Sequence, residues 1–194
     1  MELNLNRPLL FFDIESTGLS IPTDSIIELS FVKVFPGGES RIKTWKIKPW
    51  DYVNKCQKPI NPEASKVNGV TDDMLTGCPR FFEVVDEVVD WLKDSDLAGF
   101  NSAKFDLPML AEEIERVRKF VFPNINIDLH EPVMVDVQNI YHAMEPRNLK
   151  AAYRFYCGGG DFENAHTAEA DTLATYEVLK AQLDHYDTLK NDVK

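Results

Sequence analysis

Leu9-Leu10-Phe11-Phe12-Asp13-Ile14-Glu15 is the stretch on which the reading of the whole chain turns. Four apolar residues in succession suit a strand in the middle of a sheet. Side chains alternate along a strand, so Asp13 and Glu15 point to one face while Phe12 and Ile14 point to the other. Two carboxylates on a strand that is otherwise buried repel each other and resist losing water. A divalent cation relieves both problems, because hard cations take oxygen ligands. A lone Asp-x-Glu is also what a strand end looks like where it emerges into solvent, and taken alone the pair favours that plainer reading.

Outward from this stretch, Ser25 to Phe35 reads as a second strand, Pro36-Gly37-Gly38 as a turn, and Arg41 to Lys48 as a third strand, giving an antiparallel meander. The pattern then changes. Phe81, Val84, Val85, Val88 and Leu92 recur at helical spacing. Asp96 to Phe100 is a short strand, and Leu107 to Lys119 is a helix with Pro108 in the first turn, where its missing N–H costs nothing. Val133 to Val137 is a further strand; Asn148 to Phe155 and Ala168 to Tyr186 are helices. Strands first, then strands alternating with helices, predict an α/β fold with a mixed sheet flanked by helices. No repeat, low-complexity run or long linker interrupts the 194 residues, so one domain is expected over 1–194, its core at about 8–185.

Composition narrows the function. An apolar fraction of 44% is ordinary for a globular protein, and no segment approaches the ~18 apolar residues of a membrane span. Met1 to Pro8 lacks the charged and apolar parts of a secretory signal, so a cytoplasmic location and no membrane partner are expected. Cys56, Cys78 and Cys157 are odd in number and far apart, which excludes a disulfide framework and points to idle reduced thiols. A net charge of −11 argues against coating long nucleic acid through a basic surface, but not against gripping a strand end. Bound metal can supply positive charge where a phosphate sits. The basic stretch Arg41, Lys43, Lys46, Lys48, Lys55 and Lys58 reads best as an edge strand protected by lysines.

Two more acids and one histidine join the first pair. Asp106, in Gly99-Phe-Asn-Ser-Ala-Lys-Phe-Asp106, shares a helix face with Met109 and Leu110, so it points into the protein; an ordinary N-cap is the plain alternative. Asp171 shares a face with Ala174 and Val178, although an acid in a first helical turn also suits the helix dipole. His166 precedes Asp171 by five residues, the wrong spacing for one helical face, so it belongs to the loop entering the helix. A loop histidine beside a metal site can take a proton from a metal-bound water.

These residues resemble the DEDDh family of 3′→5′ exonucleases. The family's DxExTG motif is similar to Asp13-Ile14-Glu15-Ser16-Thr17-Gly18, its second motif to Asn101 through Asp106, and its third to His166 with Asp171. Asn61 to Ala64 and Val67 to Thr71 resemble the family's segment after the third strand. The resemblance implies a ribonuclease H-like sheet, with its first three strands antiparallel and the later ones parallel. It implies two Mg²⁺ or Mn²⁺ ions held by Asp13, Glu15, Asp106 and Asp171, with His166 as general base. The substrate implied is a single-stranded DNA or RNA 3′ end, releasing nucleoside monophosphates. Ser16, Thr17, Gly18, Leu19 and Asn101 are the implied substrate-binding residues, with Leu19 either a wedge against the last base or plain loop packing. Two other readings stand beside this one. A proofreading-type subunit would act as a binding module beside a separate polymerase chain, and another two-metal phosphodiesterase would act on short nucleotides. Where the family often has His, this chain has Phe100 and Asn68, and Val137 follows Asp136 where the family has Thr.

Overall fold

The computed structural model describes residues 3–192, and the domain bounds expected at residues 1 and 194 lie outside them. The described chain divides into two compact units, Met1–Gln138 and Asn139–Lys194.

In the first unit, strands β1 (Leu9–Ser16), β2 (Ile26–Val34) and β3 (Ser40–Lys46) form the antiparallel meander. The turn between β2 and β3 uses Gly37 and Gly38 at φ 93° and 91°, a region that glycine enters without strain. A small hairpin of β4 (Trp50–Asp51) and β5 (Cys56–Gln57) follows, then α1 (Pro62–Asn68), a 3₁₀ turn at Asp72–Leu75 and α2 (Phe81–Leu92). Next come β6 (Asp96–Gly99), α3 (Asp106–Phe120) and β7 (Met134–Asp136). The sheet order is β3-β2-β1-β6-β7, with β6 and β7 parallel to β1. This mixed sheet flanked by helices is the architecture expected from the strand-then-alternating pattern.

Alternation on β1 builds the core. Leu10, Phe12 and Ile14 face Leu29 and Phe31 of β2, Trp45 of β3, and the apolar stripes of α2 and α3. Phe31, fully buried, meets Trp45 edge-to-face with centroids 5.2 Å apart. A smaller cluster of Ile27, Ile60, Val70 and Leu75 lies beneath α1 and the 3₁₀ turn. β3 is an edge strand, and two of its cations are paired: Arg41 with Glu39 and Lys43 with Glu87. That fits a protected edge more closely than a free basic face.

In the second unit, α4 (Val137–Met144) begins at the boundary and is followed by α5 (Leu149–Tyr156) and α6 (Ala168–His185). Asn148 and Thr167 cap α5 and α6 with their side-chain oxygens. Among the described residues no helix is long and apolar enough to cross a membrane, and all three cysteines are free.

Phe31→Ala removes the ring at the centre of the sheet's apolar face. It is expected to cost about 3–5 kcal/mol, measured as a lower denaturant midpoint at unchanged slope. A cost within experimental error would mean that the core is not organised around this residue.

Candidate active site

β1 pairs with β2 along its whole length but with β6 only from Leu9 to Phe11. Asp13 and Glu15 therefore project past the last parallel pair, at the carboxyl end of the strand. A bulge between Glu15 and Ser16, opposite Ile26, bends the chain immediately after the pair. Asp106 is the first residue of α3, with Phe105 rather than Asp106 at the N-cap. Met109 and Leu110, both fully buried, hold that face of the helix against the sheet. The Ile14 amide, which lies between Asp13 and Glu15, donates to Asp106 Oδ1 at 3.1 Å. One hydrogen bond from a backbone amide to a side chain thus joins residues 92 apart in sequence and brings Asp106 to the strand that carries Asp13 and Glu15.

The three acids repel one another. Loss of water and the Asp13 charge push the Glu15 carboxyl above the usual carboxylate range, and Glu28, its cross-strand partner, adds to the effect. Asp106 is raised by burial and by the Asp13 and Glu15 charges, against the lowering effect of backbone N–H groups, including that of Ile14. Among the described residues no three Asp, Glu, His or Cys side chains stand close enough together to hold a metal ion. The donor chemistry nevertheless suits a hard divalent cation, because it consists of carboxylates whose charge is not otherwise neutralised.

Beside these acids lies a cavity of about 440 Å³, lined mainly by apolar side chains. Ile14, Ala64 and Phe105 line it, together with Leu19 and Val67, which are 85% and 89% exposed. Ser16 and Gly18 also contribute, with the Ser16 hydroxyl donating to the Gly18 carbonyl at 2.6 Å. Thr17 behaves differently. It is buried; its hydroxyl donates to Asp24 and accepts from the Ser25 amide, so it shapes the loop instead of lining the cavity. A Cβ on Gly18 would come 2.6 Å from the Asp24 carboxylate, so a side chain there would displace the group that organises this loop. Asn68, at the end of α1, lines the same cavity, hydrogen-bonds Glu15 and donates toward the Ser16 carbonyl. The sequence marked Asn68 only as a position where the family often has His, and it was not among the expected site residues. The available signal was Gly69, whose left-handed cap (φ 73°) ends α1 at Asn68.

Asn101 lies in the turn between β6 and α3, in the left-handed region at φ 61°. Its amide donates to Asp136 Oδ1 at 2.9 Å, and the Ala103 amide approaches Oδ2 at 3.4 Å. The Asp136 carboxylate at the end of β7 thus braces the turn that delivers Asp106. Phe100, immediately before it, is exposed.

His166 and Asp171 belong to the second unit. His166 is exposed, at φ 75°, in the loop entering α6, and its amide donates to Asp171 Oδ1 at 3.2 Å. Asp171 is half-buried in the first turn of α6, while Ala174 and Val178 are that helix's buried residues.

The mixed sheet, with Asp13 and Glu15 at the carboxyl end of its central strand and Asp106 hydrogen-bonded to the Ile14 amide between them, has a ribonuclease H-like fold. The chain belongs to the RNase T exonuclease family, whose pattern matches residues 10–179. It is 28% identical over 176 residues to the DNA polymerase III subunit epsilon of Treponema pallidum, covering 90% of this chain and 76% of that protein. It is 38% identical over 174 residues to the PolC-type DNA polymerase III of Bacillus cereus, covering 89% of this chain but 11% of the polymerase. Its fold is that of E. coli exonuclease I in complex with a dT13 oligonucleotide, with a TM-score of 0.58 at 18% identity. That match covers 91% of this chain and 40% of exonuclease I.

A carboxyl raised in the folded protein binds its proton more tightly there than in the unfolded chain. Stability of the metal-free protein should therefore fall as pH rises from the ordinary carboxylate range through the raised folded values of Glu15 and Asp106. Asp106→Asn keeps an acceptor for the Ile14 amide and removes one charge. Its melting temperature in metal-free buffer at neutral pH should exceed that of the unmodified protein, and the pH slope should shrink. A lower melting temperature would mean that the acids are not under mutual repulsion.

Proposed function

We propose that this chain is a two-metal 3′→5′ exonuclease that hydrolyses the last phosphodiester bond of a single-stranded DNA or RNA 3′ end and releases nucleoside monophosphates. One observation carries the reading: Glu15, whose carboxyl is raised by burial and by the Asp13 charge, lines an apolar cavity of about 440 Å³, ample for one nucleotide, and Asp106 is hydrogen-bonded to the Ile14 amide beside it. Two bound Mg²⁺ or Mn²⁺ ions, ~4 Å apart, would stabilise the attacking and leaving oxygens of the phosphodiester. Asp13, Glu15 and Asp106 are the proposed ligands in the first unit. The sequence motif adds Asp171 as the fourth ligand and His166 as the general base that removes a proton from the attacking water. The exposed position of His166 on a loop leaves its ring accessible for that role. Leu19 and Val67 offer exposed apolar surface to the terminal base, a contact that tolerates any sequence. Ser16, Gly18 and Asn101 are the proposed polar contacts, and Thr17 supports the loop that carries Leu19.

The strongly acidic chain favours end-binding with few phosphate contacts, so binding should depend only shallowly on salt. Similarity to the epsilon subunit of polymerase III supports a separate polymerase chain as partner.

Hydrolysis of a labelled oligonucleotide should require added Mg²⁺ or Mn²⁺ and stop with EDTA; full activity in metal-free buffer would refute the metal mechanism. A 3′-phosphate should block digestion and a 5′-phosphate should not. Efficient cutting of circular single strands would identify an endonuclease instead. His166→Ala should slow turnover by about 10²–10⁴-fold while metal affinity, read by calorimetry, is retained. Collapse of that affinity would make His166 a ligand.

A further inference from the structure

The loop from Thr17 to Ser25 carries Leu19 at the cavity rim, and the groups beneath it are unusual for a surface loop. Glu113 and Arg116 of α3 are buried, 1% and 9% exposed, and paired at 3.2 Å. Taking an ion pair out of water is costly, and a pair of apolar residues would serve packing at least as well. This pair makes contacts that apolar side chains could not. Arg116 donates to the main-chain carbonyls of Ile21 and Asp24, and its guanidinium also reaches the Ser25 hydroxyl. Lys58 donates to the Thr23 carbonyl and the same Ser25 hydroxyl, each at 2.9 Å. Glu113 is held in turn by Tyr52 and the Ile26 amide. Two cations therefore satisfy the carbonyls of a segment that has no regular structure to do so.

The rest of the loop is closed by its own groups. The Thr17 amide donates to the Ser25 carbonyl, and the Asp24 carboxylate accepts from the Thr17 hydroxyl and the Ser20 amide. Leu19 is the one residue of this braced loop that exposes a large apolar side chain to solvent. α3 carries Asp106 at its start and Arg116 ten residues on, roughly 15 Å along one rigid helix. The helix that places a carboxylate thus also sets the height of the rim.

We propose, resting on the exonuclease reading, that Arg116 is a positioning residue: clamped by Glu113, it holds the Leu19 loop as a preformed rim against the terminal nucleotide. A rim already in place binds the nucleotide without first having to be ordered. Arg116 touches no substrate and acts only through Leu19.

Five proteins test this: wild type, Leu19→Ala, the pair Arg116→Met with Glu113→Gln, all three substitutions together, and Arg116→Lys. Removing both charges avoids stranding one of them in the core, and Arg116→Lys serves as the conservative variant. Nucleotide release from single-stranded oligothymidylate with Mg²⁺ gives KM and kcat, and hydrogen exchange reports on the amides of residues 17–25. Leu19→Ala and the Arg116/Glu113 pair should each raise KM by about tenfold, the size of one lost base contact. In both, kcat should stay within about twofold. The triple variant should be no worse than Leu19→Ala, because the two changes act on one contact. Exchange at residues 17–25 should quicken in the Arg116/Glu113 pair but not in Leu19→Ala, and Arg116→Lys should fall between. Unchanged exchange, multiplying KM effects, a large loss of kcat or an unaffected KM in Leu19→Ala would each overturn the clamp while leaving an active exonuclease. Wild-type protein releasing no nucleotide with either metal would instead refute the exonuclease reading and this proposal with it.

Discussion

The hydrogen bond from the Ile14 amide to the Asp106 carboxylate sits where two demands on the chain collide. β1 has to be the central strand, because Leu10, Phe12 and Ile14 supply one face of the core. It also has to run past the end of β6 to present Asp13 and Glu15. β6 therefore stops pairing at Phe11, which would leave the Ile14 N–H without a partner on that side. Asp106 takes that N–H, and the helix behind it is fixed by Met109 and Leu110 in the core. Satisfying a backbone donor and bringing Asp106 to the strand of Asp13 and Glu15 are one event here.

That arrangement stores electrostatic tension in a protein already of charge −11. Glu15 and Asp106 are both pushed toward the protonated state, and Glu28 opposite Glu15 deepens the field. A site of this kind gains little from more protein cations, which would compete with a metal for the same oxygens. It is instead placed beside apolar surface. Ile14 belongs to both the sheet core and the cavity lining, so the cavity wall is continuous with the hydrophobic core and inherits its rigidity.

Polar groups serve the site from behind on two sides. Asp136 gathers the amides of the turn before α3, and Arg116 gathers the carbonyls of the loop after β1. Each does with side-chain groups what a ladder of backbone hydrogen bonds does elsewhere. Irregular backbone beside the carboxylates can therefore be as well determined as the strands themselves.

By itself the sequence determined the elements with strong periodicity. The meander, α2, α3, β6, β7, α5 and α6 all lie within a residue or two of their expected spans; β1, β2, α2 and α3 do so because each buries a regular stripe. It also singled out Asp13, Glu15, Asp106, His166 and Asp171, acids and a histidine standing at the ends of those elements. α1 and α4 escaped: α1 is a seven-residue helix, and α4 begins at Val137, where a strand was still expected. Only tertiary structure showed that Asn68 reaches Glu15 and that Thr17 faces inward. It alone showed that Glu113 and Arg116, three apart on a helix like any solvated ion pair, are buried against a loop some ninety residues earlier. The physical reason is common to all of these. Local periodicity reports which face of an element is apolar. Which polar side chain meets which distant backbone group depends on how elements pack, and no spacing along the chain encodes that.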